Sequence, residues 1–155
     1  MRRNTKIPKR ILQPDYKYNN PIVTKFINYI MKDGKKSVAR TIVYGAFDIA
    51  EEKTKKGAME VFDLALKNVA PNMEVKTKRV GGANYQVPMQ VKGERRTILA
   101  MRWIIESARK QTGANMPQRL AQVLIDSANN TGEAIKKKET TERMARANRA
   151  FAHFA

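Results

Sequence analysis

The spacing of the apolar residues changes once along the chain and then changes back, and this pattern constrains the fold more than any other feature of the sequence. Up to residue 70 and again from residue 98, apolar side chains recur every three or four positions, which is the period of amphipathic helices. Between them, residues 73–77 and 85–91 alternate apolar and polar side chains around Gly81 and Gly82. This stretch predicts a β-hairpin whose glycines adopt positive φ. The sequence has no other strand pattern, so both strands are edges, and the ribbon must lie on the helices or project toward a partner.

Boundary signals divide the flanking regions into about six helices. Asn20 and Pro21 are an N-cap and first-turn pair for the first helix, which ends at Asp33-Gly34. The predicted helices span about 21–33, 37–56, 58–70, 98–112, 116–128 and 133–149. We therefore predict a mainly α fold, a single-domain bundle of about six helices with a two-stranded β-ribbon projecting between the third and fourth.

The apolar stripes of two helices give specific expectations about the core. The second helix is expected to bury one set of residues: Val38, Ile42, Ala46, Ile49 and Ala50. The last helix has a thin apolar face of Ile135, Met144 and several Ala residues, so most of it should face solvent or a ligand. Trp103 lies within an apolar stripe and is expected in the core, whereas Tyr85 suits either packing or stacking on a ligand.

The first twenty residues are predicted to be an extended basic arm. They carry six Lys and Arg residues together with Pro8 and Pro14, and they are too poor in apolar side chains to fold alone. The predicted organisation is an arm over 1–20 followed by a helical domain over 21–155, with the ribbon inserted at about 72–92.

The charge balance indicates a polyanionic partner. Thirty-one Lys and Arg residues against fourteen Asp and Glu residues give a net charge of +17. A compact body with this charge repels itself unless an anionic molecule covers it. Five basic groups flank or cap predicted elements, and together they could contact several phosphates of a folded nucleic acid: Arg2-Arg3, Lys35-Lys36, Lys76 with Lys78 and Arg79, Arg95-Arg96, and Lys136 to Lys138.

Residue inventory argues against an enzyme or a metal protein. The chain has no cysteine, so disulfides, thiol chemistry and Cys-ligated metals are excluded, and a reducing cytoplasmic location is expected. The single histidine, His153, lies near the end of the sequence and cannot form a His-based zinc site alone. We expect no catalytic residues and no cofactor. The longest uncharged stretch, Val80 to Val91, is too short and too polar to span a membrane, so no membrane partner is expected.

Six stretches are specific enough to compare with known families. They are Lys32-Asp33-Gly34-Lys35-Lys36-Ser37, Glu74-Val75-Lys76-Thr77-Lys78-Arg79-Val80-Gly81-Gly82, Tyr85-Gln86-Val87-Pro88, Arg95-Arg96, Ala100-Met101-Arg102-Trp103 and Ala147-Asn148-Arg149-Ala150-Phe151-Ala152-His153. In order and over nearly the whole chain, they resemble the bacterial small-subunit ribosomal protein seven family.

The resemblance implies a structural role in the ribosome. It implies direct binding to the 3′ major domain of small-subunit ribosomal RNA, nucleation of head assembly, a position beside the exit-site transfer RNA, and ribosomal proteins nine and eleven as neighbours. The implied ribosomal-RNA-facing residues are Arg2, Arg3, Lys9, Arg10, Lys35, Lys36, Lys76, Lys78, Arg79, Arg95, Arg96, Arg102, Lys136 and Lys137. The ribbon tip would face transfer RNA through Gly81, Gly82, Ala83, Asn84 and Tyr85.

The sequence departs from the family pattern at three places. Lys92-Gly93 replaces the usual Arg-Pro, Glu142 and Arg146 replace His and Glu, and Phe154-Ala155 stands where many members continue with Arg-Trp.

Two alternative functions stay open. The first is an architectural double-stranded DNA-binding protein whose ribbon enters a minor groove. The second is a basic RNA-processing enzyme, which would need a general base or a metal site.

Neutralising the ribbon tests the electrostatic interpretation. Each lysine or arginine that contacts a phosphate displaces counterions, so the triple change Lys76→Ala, Lys78→Ala and Arg79→Ala should lower the slope of log K against log salt by roughly 2 to 3. A salt titration of RNA binding measures this slope. An unchanged slope would place the ribbon away from the RNA.

Overall fold

The computed structural model describes residues 11–154, which form six α-helices, two strands and one 3-10 helix. Residues 1–10 of the predicted arm lie outside the described residues. The elements are α1 (Pro21–Ile30), α2 (Lys36–Thr54), α3 (Ala58–Val69), β1 (Met73–Val80), β2 (Ala83–Gln90), α4 (Gly93–Lys110), α5 (Met116–Ala128), α6 (Glu133–Ala147) and the 3-10 helix Arg149–Phe154. This order confirms the mainly helical fold with a ribbon between the third and fourth helices.

α5 is the centre of the bundle and packs against α2, α3, α4 and α6. Its side chains Leu120 and Leu124 are completely or almost completely buried. Beside them, the ring centroid of Phe62 lies 5.1 Å from that of Phe26 and 5.2 Å from that of Phe47, so α1, α2 and α3 meet at one aromatic cluster. Trp103 is buried, as predicted. These contacts fix the relative positions of the helices that carry the basic residues.

The buried faces of α2 and α6 differ from the expected ones. Val38 is 53% exposed, while Val43 and Phe47 are fully buried. The buried stripe of α2 is therefore shifted by about one residue, because Phe47 packs against Phe62 and so sets which side of the helix faces the core. Met144 of α6, expected on the apolar face, is 43% exposed, and the core contacts of α6 come from Ala134, Ile135 and Ala145.

The ribbon is a regular antiparallel hairpin with a two-residue turn. Val80 pairs with Ala83, and Gly81 and Gly82 have φ of 56° and 90°, as a type I′ turn requires and as the sequence predicted. Both strands are longer than predicted because pairing continues to this turn. One side of the ribbon contacts α6 and the C-terminal 3-10 helix. In the middle of β2, Val87 is almost completely buried.

The segment before α1 is attached to the bundle at Asp15. The carboxylate of Asp15 is buried and accepts hydrogen bonds from the Tyr44 hydroxyl at 2.8 and 2.9 Å and from the backbone N–H groups of Lys17 and Tyr18. Burial, and then this carboxylate, raise the pKa of Tyr44. The ring of Tyr18 packs on Phe47 at 5.3 Å. Residues 15–20, predicted as part of the arm, therefore contact α2.

Two valines of α2 provide a matched test of its buried face. Val43→Ala should lower the free energy of unfolding by about 2 kcal/mol, because two methyl groups lose their burial in the core. Val38→Ala, an identical change at an exposed position, should cost less than about 0.5 kcal/mol. Urea denaturation of both variants measures the difference. Equal losses would contradict the orientation of α2.

Candidate nucleic-acid interface

The helix α4 carries arginines at intervals of seven residues. Arg95, Arg102 and Arg109 are each almost two full turns apart, so they lie along one side of the helix over about 21 Å. The guanidinium of Arg102 lies 5.4 Å from the ring centroid of Tyr29, and Arg109 Nη2 donates to the carbonyl oxygen of Ile30 at 3.2 Å. This side of α4 therefore runs along α1. We call these three arginines the α4 stripe.

The far end of the α4 stripe opens into a basic groove. The groove has a volume of about 390 Å³ and lies between the end of α1, the start of α2, the end of α4 and the start of α5. Its cations are Lys32, Lys35, Arg109 and Arg119, and its apolar floor is formed by Ile30, Val38, Ile42 and Met116. Such a lining can hold phosphates at the rim and a sugar or base against the floor.

Three of the four cations in this groove were missed by the sequence analysis. Lys32, Arg109 and Arg119 are separated in the sequence and belong to none of its five basic groups, so their meeting depends on helix packing. A signal for one of them was present, since Arg109 continues the seven-residue spacing of Arg95 and Arg102 on a predicted helix. Lys35 was predicted and does line the groove.

At the near end of the α4 stripe, Arg95 is held by a carboxylate. Arg95 Nε and Nη2 each donate to Glu74 of β1 at 2.7 Å, and the Glu74 side chain is 12% exposed. This bidentate bond lowers the pKa of Glu74, and burial opposes it less strongly. Lys76 Nζ lies 3.9 Å from the same carboxylate. The pair joins the ribbon to α4, so part of the predicted RNA-facing charge of Arg95 and Lys76 is offset.

The predicted lysines of α6 are paired as well. Lys136 Nζ lies 2.9 Å from Glu133, and Lys137 forms an ion pair with Glu106 of α4. The same Glu106 accepts from Lys110 at 3.2 Å. The hydrogen bond from Lys136 lowers the pKa of Glu133. The pKa of Glu106 is lowered mainly by Lys137 and then by Lys110. In contrast, within residues 11–154 no carboxylate lies within 4 Å of the guanidinium groups of Arg102 or Arg109.

The remaining predicted residues that the structure describes are exposed, except for Tyr85, which is half-buried. Lys36, Arg79 and Arg96 are exposed, as are Gly81, Gly82, Ala83 and Asn84 of the tip. Lys78 donates to the carbonyl oxygen of Phe154, and the ring of Tyr85 is partly covered by Phe151 and Phe154. Arg2, Arg3, Lys9 and Arg10 lie outside the described residues.

The fold and this surface are those of a basic helical protein, with a groove lined by cations, and they indicate the class of polyanion-binding proteins. A family model described as "Ribosomal protein S7p/S5e" matches residues 1–149. The chain is 53% identical to "Small ribosomal subunit protein uS7" of Desulfatibacillum aliphaticivorans over 99% of both chains. It is 56% identical to the proteins of that name from Chloroflexus aggregans, over 99% of this chain and 98% of the relative, and from Caldanaerobacter subterraneus, over 99% of both.

The chain belongs to the ribosomal protein S7p/S5e family, which confirms the resemblance. It is a structural constituent of the ribosome that binds ribosomal RNA, and it is not an enzyme. Membership decides between ribosomal RNA and an architectural DNA-binding role in favour of the RNA. Among the helices of residues 11–154, none is both long and apolar enough to cross a membrane.

The Glu74–Arg95 pair predicts a pH-dependent contribution to stability. Since the folded-state pKa of Glu74 lies below its ordinary value of 4.5, the pair stabilises the fold above about pH 4.5, and this stabilisation is lost as the pH falls through the lowered pKa. Glu74→Gln should cost about 1 to 3 kcal/mol at pH 7, and this cost should shrink as the pH falls through the lowered pKa. Urea denaturation over a series of acidic pH values measures this. A cost that does not change with pH would contradict an ionised pair.

Proposed function

We propose that this protein binds the 3′ major domain of ribosomal RNA in the small ribosomal subunit and nucleates assembly of the head. In this proposal the ribbon lies beside the exit-site transfer RNA, and ribosomal proteins nine and eleven of the small subunit are neighbours. The relatives are named as proteins of the small subunit, which supports the proposal that this protein belongs to that subunit. The family resemblance supports the binding to the 3′ major domain, the neighbouring proteins and the position beside the transfer RNA.

The observation that carries the proposal is that some cations at α4 have a carboxylate partner and others have none. On the side toward α1, Arg102 and Arg109 have no carboxylate partner among residues 11–154. On the side toward α6, Lys110 and Lys137 share Glu106. Charge that is unpaired in the protein is available for phosphates, and each phosphate contact releases counterions. The α4 stripe and its groove are therefore the proposed main contact with ribosomal RNA.

The distance between the groove and the ribbon explains how one domain could organise a folded RNA. Arg95, at the base of the ribbon, and Arg109, in the groove, are separated by about 21 Å along α4. Two RNA segments bound at these ends would be held at a fixed separation by a rigid helix. Since α5 packs against α4, this spacing is built into the core. Fixing two segments early in assembly is what nucleation of a domain requires.

A chemical footprint on naked small-subunit ribosomal RNA tests the proposed target. Protected nucleotides should fall in the 3′ major domain, and random duplex DNA at matched salt should bind much more weakly. Protections spread evenly over the RNA, or equal affinity for the duplex, would contradict the proposal.

The absence of cysteine allows a direct test of the transfer RNA contact. Asn84→Cys introduces a single thiol at the exposed tip, to which an iron chelate can be attached for local hydroxyl-radical cleavage. In assembled ribosomes we expect cleavage of the exit-site transfer RNA near its anticodon. A thiol placed at exposed Lys67 on α3 is the control. Equal cleavage from both positions would contradict the proposed position of the ribbon beside the exit-site transfer RNA.

The α4 stripe predicts a measurable change in salt dependence. Arg102→Ala with Arg109→Ala should lower the slope of log K against log salt by about 1.5 for a 3′ major domain transcript, since two phosphate contacts are lost. Lys67→Ala with Lys110→Ala removes the same charge from α3 and from the paired side of α4, and should leave the slope nearly unchanged. Equal decreases for both pairs would mean that net charge, rather than the α4 stripe, determines binding.

A further inference from the structure

The ribbon has two chemically different faces. Cross-strand partners share a face, and successive residues of a strand point to opposite faces. On one face, Lys78 lies opposite Tyr85. On the other, Arg79 lies opposite Asn84. We call these the lysine face and the arginine face.

The C-terminal 3-10 helix Arg149–Phe154 covers the lysine face near the tip. The ring centroid of Tyr85 lies 5.3 Å from that of Phe151 and 5.2 Å from that of Phe154. Lys78 donates to the carbonyl oxygen of Phe154, so the backbone of this segment is attached to β1 as well as to β2. Lys78 is exposed too, but its ammonium group is bound to this carbonyl, whereas Arg79 and Asn84 are exposed and make no such contact within residues 11–154.

The preceding residues attach the base and middle of the ribbon to the same end of the chain. Asn148 Nδ2 donates to Gln86 Oε1 at 3.3 Å, and Gln86 lies on the same face of β2 as Asn84, so this residue attaches the ribbon from its arginine face. Six residues earlier, in α6, Glu142 Oε1 accepts from the backbone N–H of Asn72, directly before β1, at 3.0 Å. The contacts thus follow the ribbon from its base to its tip. They involve Glu142 and Phe154, two of the positions at which the sequence departs from the family pattern.

Neither part is expected to be stable without the other. An isolated two-stranded ribbon is marginal in water, and a 3-10 helix of six residues has few hydrogen bonds of its own. Three aromatic rings packed together supply the apolar contact that each element lacks. The direction of the ribbon therefore depends on the C-terminal segment.

We infer that residues 148–154 act as a strap that sets the direction of the ribbon, and that the 3-10 helix of this strap covers the lysine face near the tip, so that the arginine face of the tip is the one presented to RNA. Tyr85 is then a positioning residue, whose ring is held by the strap rather than stacked on a base. The assignment of the arginine face to RNA rests on the proposed function, whereas the strap itself does not.

Hydrogen exchange of the full chain without RNA tests the strap. Phe151→Ala with Phe154→Ala should make the amides of residues 73–90 exchange on the order of tenfold faster, with little change in α5. Met144→Ala, at an exposed position on α6, is the control and should change the exchange of neither the ribbon nor α5. Leucine at both positions should restore much of the protection, because the contact is mainly apolar. Unchanged exchange in the double alanine variant would overturn the strap.

Salt titrations with the 3′ major domain transcript test the faces. Arg79→Ala should lower the slope of log K against log salt by about 0.7, whereas Lys78→Ala should leave this slope nearly unchanged. The triple variant of Lys76, Lys78 and Arg79 should then lower the slope by less than the roughly 2 to 3 expected if all three cations contact phosphates. A larger effect of Lys78→Ala would overturn the assignment of faces. If neither slope changes while the exchange result holds, the strap stands and the contact of the ribbon with this RNA is excluded.

Discussion

The burial of α5 among α2, α3, α4 and α6 is the constraint on which the rest of the structure depends. A chain with a net charge of +17 loses stability through self-repulsion, and apolar packing has to exceed that loss. Leu120, Leu124 and the Phe26–Phe62–Phe47 cluster provide the packing. Because α4 packs against α5, the arginines of α4 are held in a fixed position on this core.

Pairing within the protein determines which cations remain for RNA. Glu106 forms ion pairs with Lys110 and Lys137 between α4 and α6. Glu74 forms an ion pair with Arg95 where the ribbon meets the bundle. The acids are few, but they lie where elements must be joined. Arg102 and Arg109, on the side of α4 that faces α1, keep their charge unpaired among the described residues. A basic protein can in this way use part of its charge for folding and present the rest to a ligand.

Most of the fold could be predicted from the sequence, because periodicity and boundary residues act locally. Asn20 and Pro21 begin α1 as predicted, and Gly81 and Gly82 form the predicted turn. The orientation of α2 could not be predicted, since it depends on Phe47 meeting Phe62 from another helix. For the same reason the sequence identified Lys35 but missed Arg119 of the same groove. The partners of Arg95 and Tyr85 also come from distant parts of the chain.

The type I′ turn has a consequence for what the end of the ribbon can distinguish. Its two central residues are glycines with positive φ, so the apex is bare backbone. Open space surrounds both positions, so the positive φ, rather than crowding by neighbours, requires glycine there. Peptide groups without side chains offer the same donors and acceptors to every nucleotide sequence. An apex of this kind measures proximity and shape but is indifferent to identity. Such a contact suits a site through which many different molecules of one shape must pass.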